Sequence, residues 1–358
     1  MQQHQERPKR YNQYSLACSR VLSSDGVIVD NLSNNKHDAL PRGRAHTTYF
    51  LTHAHMDHMT GFRRQGPPKT ARFVCASVPT LDLLTARYPG WLKASQMGQL
   101  IALIPDGKMR RIGNLNVMAV DATHMPGSLI IGIRTDNNKH SAVFSGDFRF
   151  DAQAQTPLLR VFRGCDVLCV DDSRGEVQTP LPPIAESGHA LRQLADRMKK
   201  QGKVYLRARQ HGCEPLLAAA FAHTTDHVVY IDARFPDPDW TRHQLRRMGV
   251  NTSESIAHAT VVLTPFVPPV SAKNAICIGF QWHTCQNKLD TTADRYCIRF
   301  PYSAHANAAE TKQLIDKLKP QRVMNCQAPI AQSACHSIGY RPNPLRLRPR
   351  QWMRFADS

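Results

Sequence analysis

Three imidazoles and a carboxylate fall within the run His53-Ala54-His55-Met56-Asp57-His58, directly behind the strand-like segment Thr47 to Leu51. Side chains of this kind at a strand end are a ligand set for two metal ions, which restricts the fold to one that gathers further ligands at the same edge. His53 and His55 are two apart and project to one side of an extended backbone. Asp57 and His58 follow around a turn and can face a second ion. Imidazole nitrogen and carboxylate oxygen suit zinc, as one ion or two, with manganese, magnesium and iron as alternatives. Spare coordination positions would make the site catalytic rather than structural. The competing reading is a solvated histidine-rich loop.

The 358 residues suffice for two domains or one elaborated domain. No stretch reaches the apolar length that spans a bilayer, and Met1 to Tyr11 is polar and basic without a signal-peptide core. An intracellular chain with no membrane partner is expected. The 10 cysteines form no Cys-x-x-Cys pair, which argues for buried free thiols rather than a zinc knuckle or a disulfide framework. Lys plus Arg (46) exceeds Asp plus Glu (28), a formal charge of +18 that favours a polyanionic partner, nucleic acid above all. The basic residues gather at Arg63-Arg64, Lys108 to Arg111, Lys199-Lys200, Arg207 to Arg209, Arg246-Arg247 and Arg341 to Arg354. Each cluster alone is more often a solvated surface than a contact site.

Short β-rich runs dominate the first half: Val27 to Val29, Phe73 to Cys75, Leu115 to Val120, Leu129 to Ile133, Ala142 to Phe144 and Val167 to Val170. Pro180 to Pro183 forms a proline-rich connection. Behind it Ile184, Leu191, Leu194, Ala195 and Met198 share one helical face, and a second unit begins. Strands at Val204 to Leu206, Val228 to Ile231, Thr260 to Thr264 and Ala275 to Phe280 alternate with helices near Pro215 to Ala222 and Trp240 to Met248. This is the pattern of an α/β layer with a largely parallel sheet. Cys297 to Phe300 and the helix bearing Leu314, Ile315 and Leu318, stopped by Pro320, read as a return to the first unit.

The other metal-type residues also follow strands. His124 stands in Thr123-His124-Met125-Pro126-Gly127-Ser128 and Asp147 in Gly146-Asp147-Phe148-Arg149, each beside a glycine that lets the backbone turn tightly. A carboxylate between two cations can bridge them. With Val29-Asp30, Val170-Asp171-Asp172-Ser173 and Pro301-Tyr302-Ser303-Ala304-His305, these segments appear in a fixed order along most of the chain.

In that order they resemble the metallo-β-lactamase-fold hydrolases and, more narrowly, the β-CASP nucleases of the Artemis and Apollo DNA-repair group. The HxHxDH core marks only the superfamily. The His-x-Pro-Gly-Ser, Gly-Asp-Phe-Arg and Tyr-Ser-x-His segments together carry the narrower likeness. The resemblance implies an αββα sandwich interrupted by an α/β β-CASP domain: the sandwich at 1–183, the insertion at 184–296, the returning part at 297–340 and a basic tail at 341–358.

It further implies that His53, His55 and His124 hold one metal, that Asp57, His58 and His305 hold or support a second, and that Asp147 bridges them. Asp30, at a strand end, would accept a ligand imidazole N–H and fix its tautomer. Asp171, with Asp172 as a one-residue alternative, would orient a metal ligand or help protonate the leaving oxygen. Asp57, Asp171 and His305 are thus the expected catalytic residues. The implied reaction is metal-assisted in-line attack of water on a phosphodiester. Ser303 and the backbone at Gly127 and Ser128 are candidate donors to phosphate, each with a local turn role as the alternative. Arg149 is expected only to brace the metal loop.

Two segments depart from the family pattern. Ala208-Arg209-Gln210-His211-Gly212-Cys213-Glu214 resembles the loop that ends Gly-Lys-Glu in exonuclease members, with Cys213 where a lysine would meet a terminal 5′-phosphate. Arg207 or Arg209 could supply that charge, or could be surface arginines. The last family motif is valine in DNA-acting members and histidine in RNA-acting ones. Here Val323-Met324-Asn325-Cys326-Gln327 holds no histidine, and none follows until His336.

The expectation is a metal-dependent DNA nuclease, a 5′ exonuclease of nuclear DNA repair including interstrand crosslink repair. Single-stranded DNA or free ends, and other repair proteins, are its expected partners. An RNA-processing β-CASP nuclease and a catalytically idle nucleic-acid-binding scaffold are the alternatives. A small-molecule hydrolase fits the inserted domain and the basic charge less well. The basic runs Arg7 to Arg10 and Arg346 to Arg350 fit nuclear import signals.

Overall fold

A computed structural model describes residues 16–32, 47–59, 61–135, 139–171, 173–174, 181–208, 210–266, 275–279, 298–326 and 353–354. In chain order, α1 (Leu16–Ser19) precedes β1 (Val27–Val29), β2 (Thr47–Phe50), β3 (Ala71–Ser77), α2 (Val78–Arg87), α3 (Pro89–Gln96) and β4 (Leu100–Leu103). Next come β5 (Arg110–Ile112), β6 (Leu115–Asp121), β7 (Leu129–Thr135), β8 (Ser141–Phe144), α4 (Ala152–Val161) and β9 (Val167–Val170). The second unit holds α5 (Ile184–Met198), β10 (Val204–Arg207), α6 (Glu214–Phe221), β11 (Val229–Ile231), α7 (Pro238–Arg247), β12 (Thr252–Ser253), β13 (Val261–Thr264), β14 (Ala275–Gly279) and β15 (Ile298–Pro301). The described chain ends with α8 (Ala308–Leu318), β16 (Arg322–Asn325) and β17 (Met353–Arg354).

The first unit is a sandwich of two sheets. A parallel sheet in the order β1-β2-β3-β4 faces a mixed sheet in the order β17-β16-β9-β8-β7-β6-β5. Alternation along the strands explains the layering, because neighbouring residues point to opposite faces. Val117, Ala119, Ile131 and Phe144 point inward and meet Val27, Val29, Phe50 and Cys75 of the parallel sheet. Met118, Val120, Ile130 and Val143 point outward and pack beneath Leu158 and Leu159 of α4 and Leu314, Ile315 and Leu318 of α8. The outer face of the parallel sheet, with Tyr49, Val74 and Ala76, is covered by Leu81 and Leu84 of α2 and Trp91 of α3. Helices thus flank both sheets.

The second unit is a parallel sheet in the order β12-β11-β13-β10-β14-β15. Leu191 and Leu194 of α5, Leu216 and Phe221 of α6 and Leu245 of α7 cover it. The texture change after the proline-rich connection is therefore a change of sheet; Pro180 itself lies outside the described residues.

Two sequence readings need correction. Cys297 to Phe300 was expected to re-enter the first unit, but β15 pairs in parallel with β14, Ile276 opposite Ile298 and Ile278 opposite Phe300. Phe300 and Tyr302 are buried in the second core, so the chain leaves that sheet only beyond Pro301. The first unit is also richer in helix than its β-dense pattern suggested. The Ser77 hydroxyl caps α2 by accepting from Thr80 N at 3.3 Å. Asp151 caps α4 by accepting from Gln153 N and Ala154 N, which sustains a helix despite the interior Pro157. Phe280, Cys297 and most of the basic tail lie outside the described residues, while Met353–Arg354 pairs with β16 at the sheet edge. Among the described residues six cysteines are buried free thiols, and Cys277 is disulfide-bonded.

Candidate metal centre

Strand ends build the site. Asp30 follows β1, the run His53 to His58 follows β2, His124 lies between β6 and β7, Asp147 follows β8 and Asp171 follows β9. His305 stands in the turn between β15 and α8. Backbone hydrogen bonds fasten these loops to one another: Leu129 N donates to Thr52 O and Arg149 N to Ala122 O, each at 2.9 Å. Gly146 has φ +52°, and a Cβ there would stand 2.6 Å from Thr52 Oγ1, so this loop closes on the histidine loop only with glycine.

Asp30 is the fully buried hub beneath the site. Its Oδ1 accepts from Thr52 N at 2.8 Å, and its Oδ2 accepts from Thr52 Oγ1 at 2.7 Å and His58 Nδ1 at 2.9 Å. Because the Thr52 hydroxyl spends its proton on Asp30, its oxygen accepts from His53 Nδ1 at 3.1 Å. The Ala304 carbonyl can only accept, so His124 Nδ1 donates to it at 2.9 Å. These partners assign the tautomers. They leave Nε2 of His53 and Nε2 of His124 as lone pairs.

Both lone pairs point at one place. His53 Nε2 and His124 Nε2 each lie 3.1 Å from His55 Nδ1, and 3.6 and 3.5 Å from Asp147 Oδ2. Four ligands about 2.0–2.1 Å from a central ion at tetrahedral angles stand roughly 3.3 Å apart. The observed edges bracket that value. Without a cation, a single proton on His55 Nδ1 could serve only one of these two lone pairs, so the donor set fits a metal ion.

The other Asp147 oxygen, Oδ1, lies 3.1 Å from His58 Nε2, whose second neighbour is Asp57 Oδ2 at 4.0 Å. Asp147 also faces His305 Nδ1 at 3.7 Å, and that nitrogen lies 3.0 Å from Asp171 Oδ2. Two ligand groups therefore share Asp147: His53, His55, His124 and Asp147, and then Asp147, Asp171 and His305. The Asp57 side chain is 34% exposed, against 4% for Asp147 and 17% for His305.

Protonation follows burial and charge. Burial pushes His53, His55 and His124 well below the usual histidine range, which keeps them neutral donors. At His58 burial opposes the charge, yet Asp147 and Asp30 outweigh it and raise the pKa well above normal. His305 is raised against burial by Asp147 and Asp171. Asp147 is held far below the usual carboxylate range because His58 and His305 outweigh its desolvation. Burial raises Asp57.

The candidate phosphate contacts are placed differently. Ser303 is buried, and its hydroxyl closes a local turn, donating to His305 O at 2.9 Å and accepting from His305 N at 3.1 Å. Ser128 Oγ likewise accepts from His124 N and Met125 N. Cys213 is fully buried in the second core, where desolvation raises its pKa well above the normal thiol value, so its expected place in a phosphate pocket is corrected. The loop beside it is shaped by Glu214, which accepts from Gly212 N at 2.6 Å and pairs with His211 Nδ1 at 2.8 Å. Arg207, at the end of β10, is half-buried. Arg209, Asp172, Gln327, His336 and both proposed import signals lie outside the described residues.

Arg149 is more than a brace. Its buried guanidinium grips Glu310 through Nε and Nη2 at 2.9–3.1 Å and donates to Ser303 O and Pro182 O at 2.7 and 3.1 Å. It ties the Asp147 loop to the His305 turn and to the entry of the second unit. Glu310 carried no signal in the sequence beyond its place in the first turn of a helix.

Residues 32–201 match the family model described as a beta-lactamase superfamily domain, and His53, His55, His124 and Asp147 of the candidate metal cluster lie within that span. Among curated relatives, DNA ligase 6 of Arabidopsis thaliana is 23% identical over 352 residues, covering 87% of this chain and 23% of that protein. The chain thus spans under a quarter of that relative's length. Among solved structures, a protein of unknown function from Enterococcus faecalis V583 superposes with a TM-score of 0.51 at 15% identity, over 78% of this chain and 75% of that one. This last likeness concerns the fold alone.

Proposed function

We propose that the protein is a metal-dependent nuclease that hydrolyses DNA phosphodiester bonds, with the second unit acting as a β-CASP insertion and the whole belonging near the Artemis and Apollo group. The observation that carries this reading is the sharing of Asp147 between two ligand groups at the edge of a beta-lactamase superfamily domain. His53, His55, His124 and Asp147 would hold one ion, and Asp147 with His58, Asp57 and His305 would hold or flank a second. Bound there, such ions would supply Lewis-acid polarisation of a phosphodiester and lower the pKa of water. The chain's own groups do the rest. Asp30 orients His58, Asp171 orients His305, and His305 holds a proton at Nδ1 beside the reacting centre.

The excess of 18 positive charges favours a polyanion, and the name of the curated relative points to DNA. A 5′ exonuclease in nuclear DNA repair, crosslink repair included, follows from the resemblance to the Artemis and Apollo group, with RNA as the second substrate class. Incubating the purified chain with labelled single-stranded DNA, duplex DNA, RNA and a chromogenic β-lactam, with and without chelator, tests it. Chelator-sensitive DNA cleavage that Asp57→Ala abolishes is expected. Cleavage of the β-lactam alone would overturn the nuclease reading, and full turnover by folded Asp57→Ala would overturn the assignment of the site.

A further inference from the structure

The two histidine loops of the metal centre rest on a side chain of the other unit. Trp240 of α7 is almost fully buried and forms a small apolar group with Leu83 of α2 and Met125, against which Ala54 packs. Ala54 is the residue between His53 and His55, and Met125 follows His124. The apolar group to which the indole belongs therefore bears on both loops that supply the three neutral imidazoles.

Its position is fixed from both sides. Trp240 Nε1 donates to Pro79 O at 3.0 Å, and Asp237, just before α7, makes an ion pair with Arg87. Pro79, Leu83 and Arg87 are the start, middle and end of α2, so the head of α7 lies along that helix. On its own side, the indole meets the ring of His211 edge to face at 4.9 Å, and Asp237 Oδ2 lies 3.4 Å from His211 Nε2. Helix α2 in turn touches the His124 loop, because a Cβ at Gly127 would collide with Pro79.

We propose that Trp240 is a positioning residue for the metal centre: it props the His53–His55 and His124–Met125 segments, so that metal retention depends on a residue of the second unit that ligates nothing. The three nitrogens converge only while Ala54 and Met125 keep their places, and ligand geometry is what a weakly supported site loses first. The proposal requires the metal centre but not the nuclease reading.

Zinc affinity measured by competition with a chromophoric chelator decides the matter without any catalytic readout. Trp240→Ala should weaken zinc binding about tenfold or more, as removal of supporting groups does at other metal sites. Trp240→Phe, which keeps a ring in the same space, should recover most of it. The visible spectrum of the cobalt-substituted protein should change with Trp240→Ala and not with Trp240→Phe. Leu245→Ala is the control: it lies on the same helix, fully buried in the second unit's own core, and should leave zinc affinity near wild type. Unchanged affinity in Trp240→Ala, or an equal loss in Leu245→Ala, would overturn the proposal. Should Trp240→Ala not fold, Trp240→Leu replaces it under the same criteria. A wild-type chain that binds no zinc would remove the metal centre and this proposal together, whereas zinc binding without DNA cleavage would remove only the nuclease reading.

Discussion

Replacing Arg149 by methionine should destabilise the protein more than any exposed arginine would. The guanidinium is buried and holds both oxygens of Glu310 as well as two backbone carbonyls. Methionine fills similar space but leaves the Glu310 carboxylate buried without its cation. Breaking one side of such a pair costs about 3–5 kcal/mol, because the remaining charge is desolvated and uncompensated. With an m-value of about 3 kcal/mol/M, the urea midpoint should fall by roughly 1 to 1.7 M. Removing both charges is the discriminating step: Arg149→Met with Glu310→Met should return to within about 1–2 kcal/mol of the unmodified protein. The single variant should also weaken zinc binding, since Ser303 O and the turn to His305 lose their anchor. A midpoint shift in Arg149→Met below roughly 0.3 M, or a double variant no more stable than the single one, would refute the claim that this ion pair locks the site.

Stability should respond to pH through His211, whose pKa is lifted to about 9 because Asp237 and Glu214 outweigh the opposing effect of burial. A raised folded-state pKa stabilises fully below the unfolded value near 6.5 and loses that contribution as pH rises through about 9, here roughly 3 kcal/mol. His211→Gln should therefore flatten the urea-midpoint profile across that window, and parallel profiles for the two proteins would contradict it. Gly146→Ala should cost about 1–3 kcal/mol from its left-handed backbone and the clash with Thr52, so wild-type stability in a denaturant titration would show that the loop yields freely. Cys213→Lys should destabilise by several kcal/mol by burying an unpaired ammonium. A stable Cys213→Lys protein with increased 5′-phosphate dependence in an exonuclease assay would restore the pocket reading of that loop.

What could be read from residues alone was what covalent neighbourhood dictates. His53, His55, Asp57 and His58 are adjacent in the chain, so any strand-to-turn geometry presents them together, and their identity announces metal chemistry before any fold is known. Strand alternation and the helical face from Ile184 to Met198 likewise rest on local periods, which explains why the change of texture after residue 183 marked a real change of sheet. Tertiary structure alone decided the relations between residues far apart in sequence. Asp147 is shared between two ligand groups, Arg149 grips Glu310, and Trp240 supports loops that belong to another unit. It also decided against local likeness: Cys213 sits where a motif would place a phosphate contact, yet the packing of α6 turns its side chain into the core. β15 looked like a return to the first unit and instead completes the second sheet, because its backbone hydrogen bonds and the burial of Phe300 and Tyr302 are satisfied there, and no period within four residues can say which sheet edge is waiting.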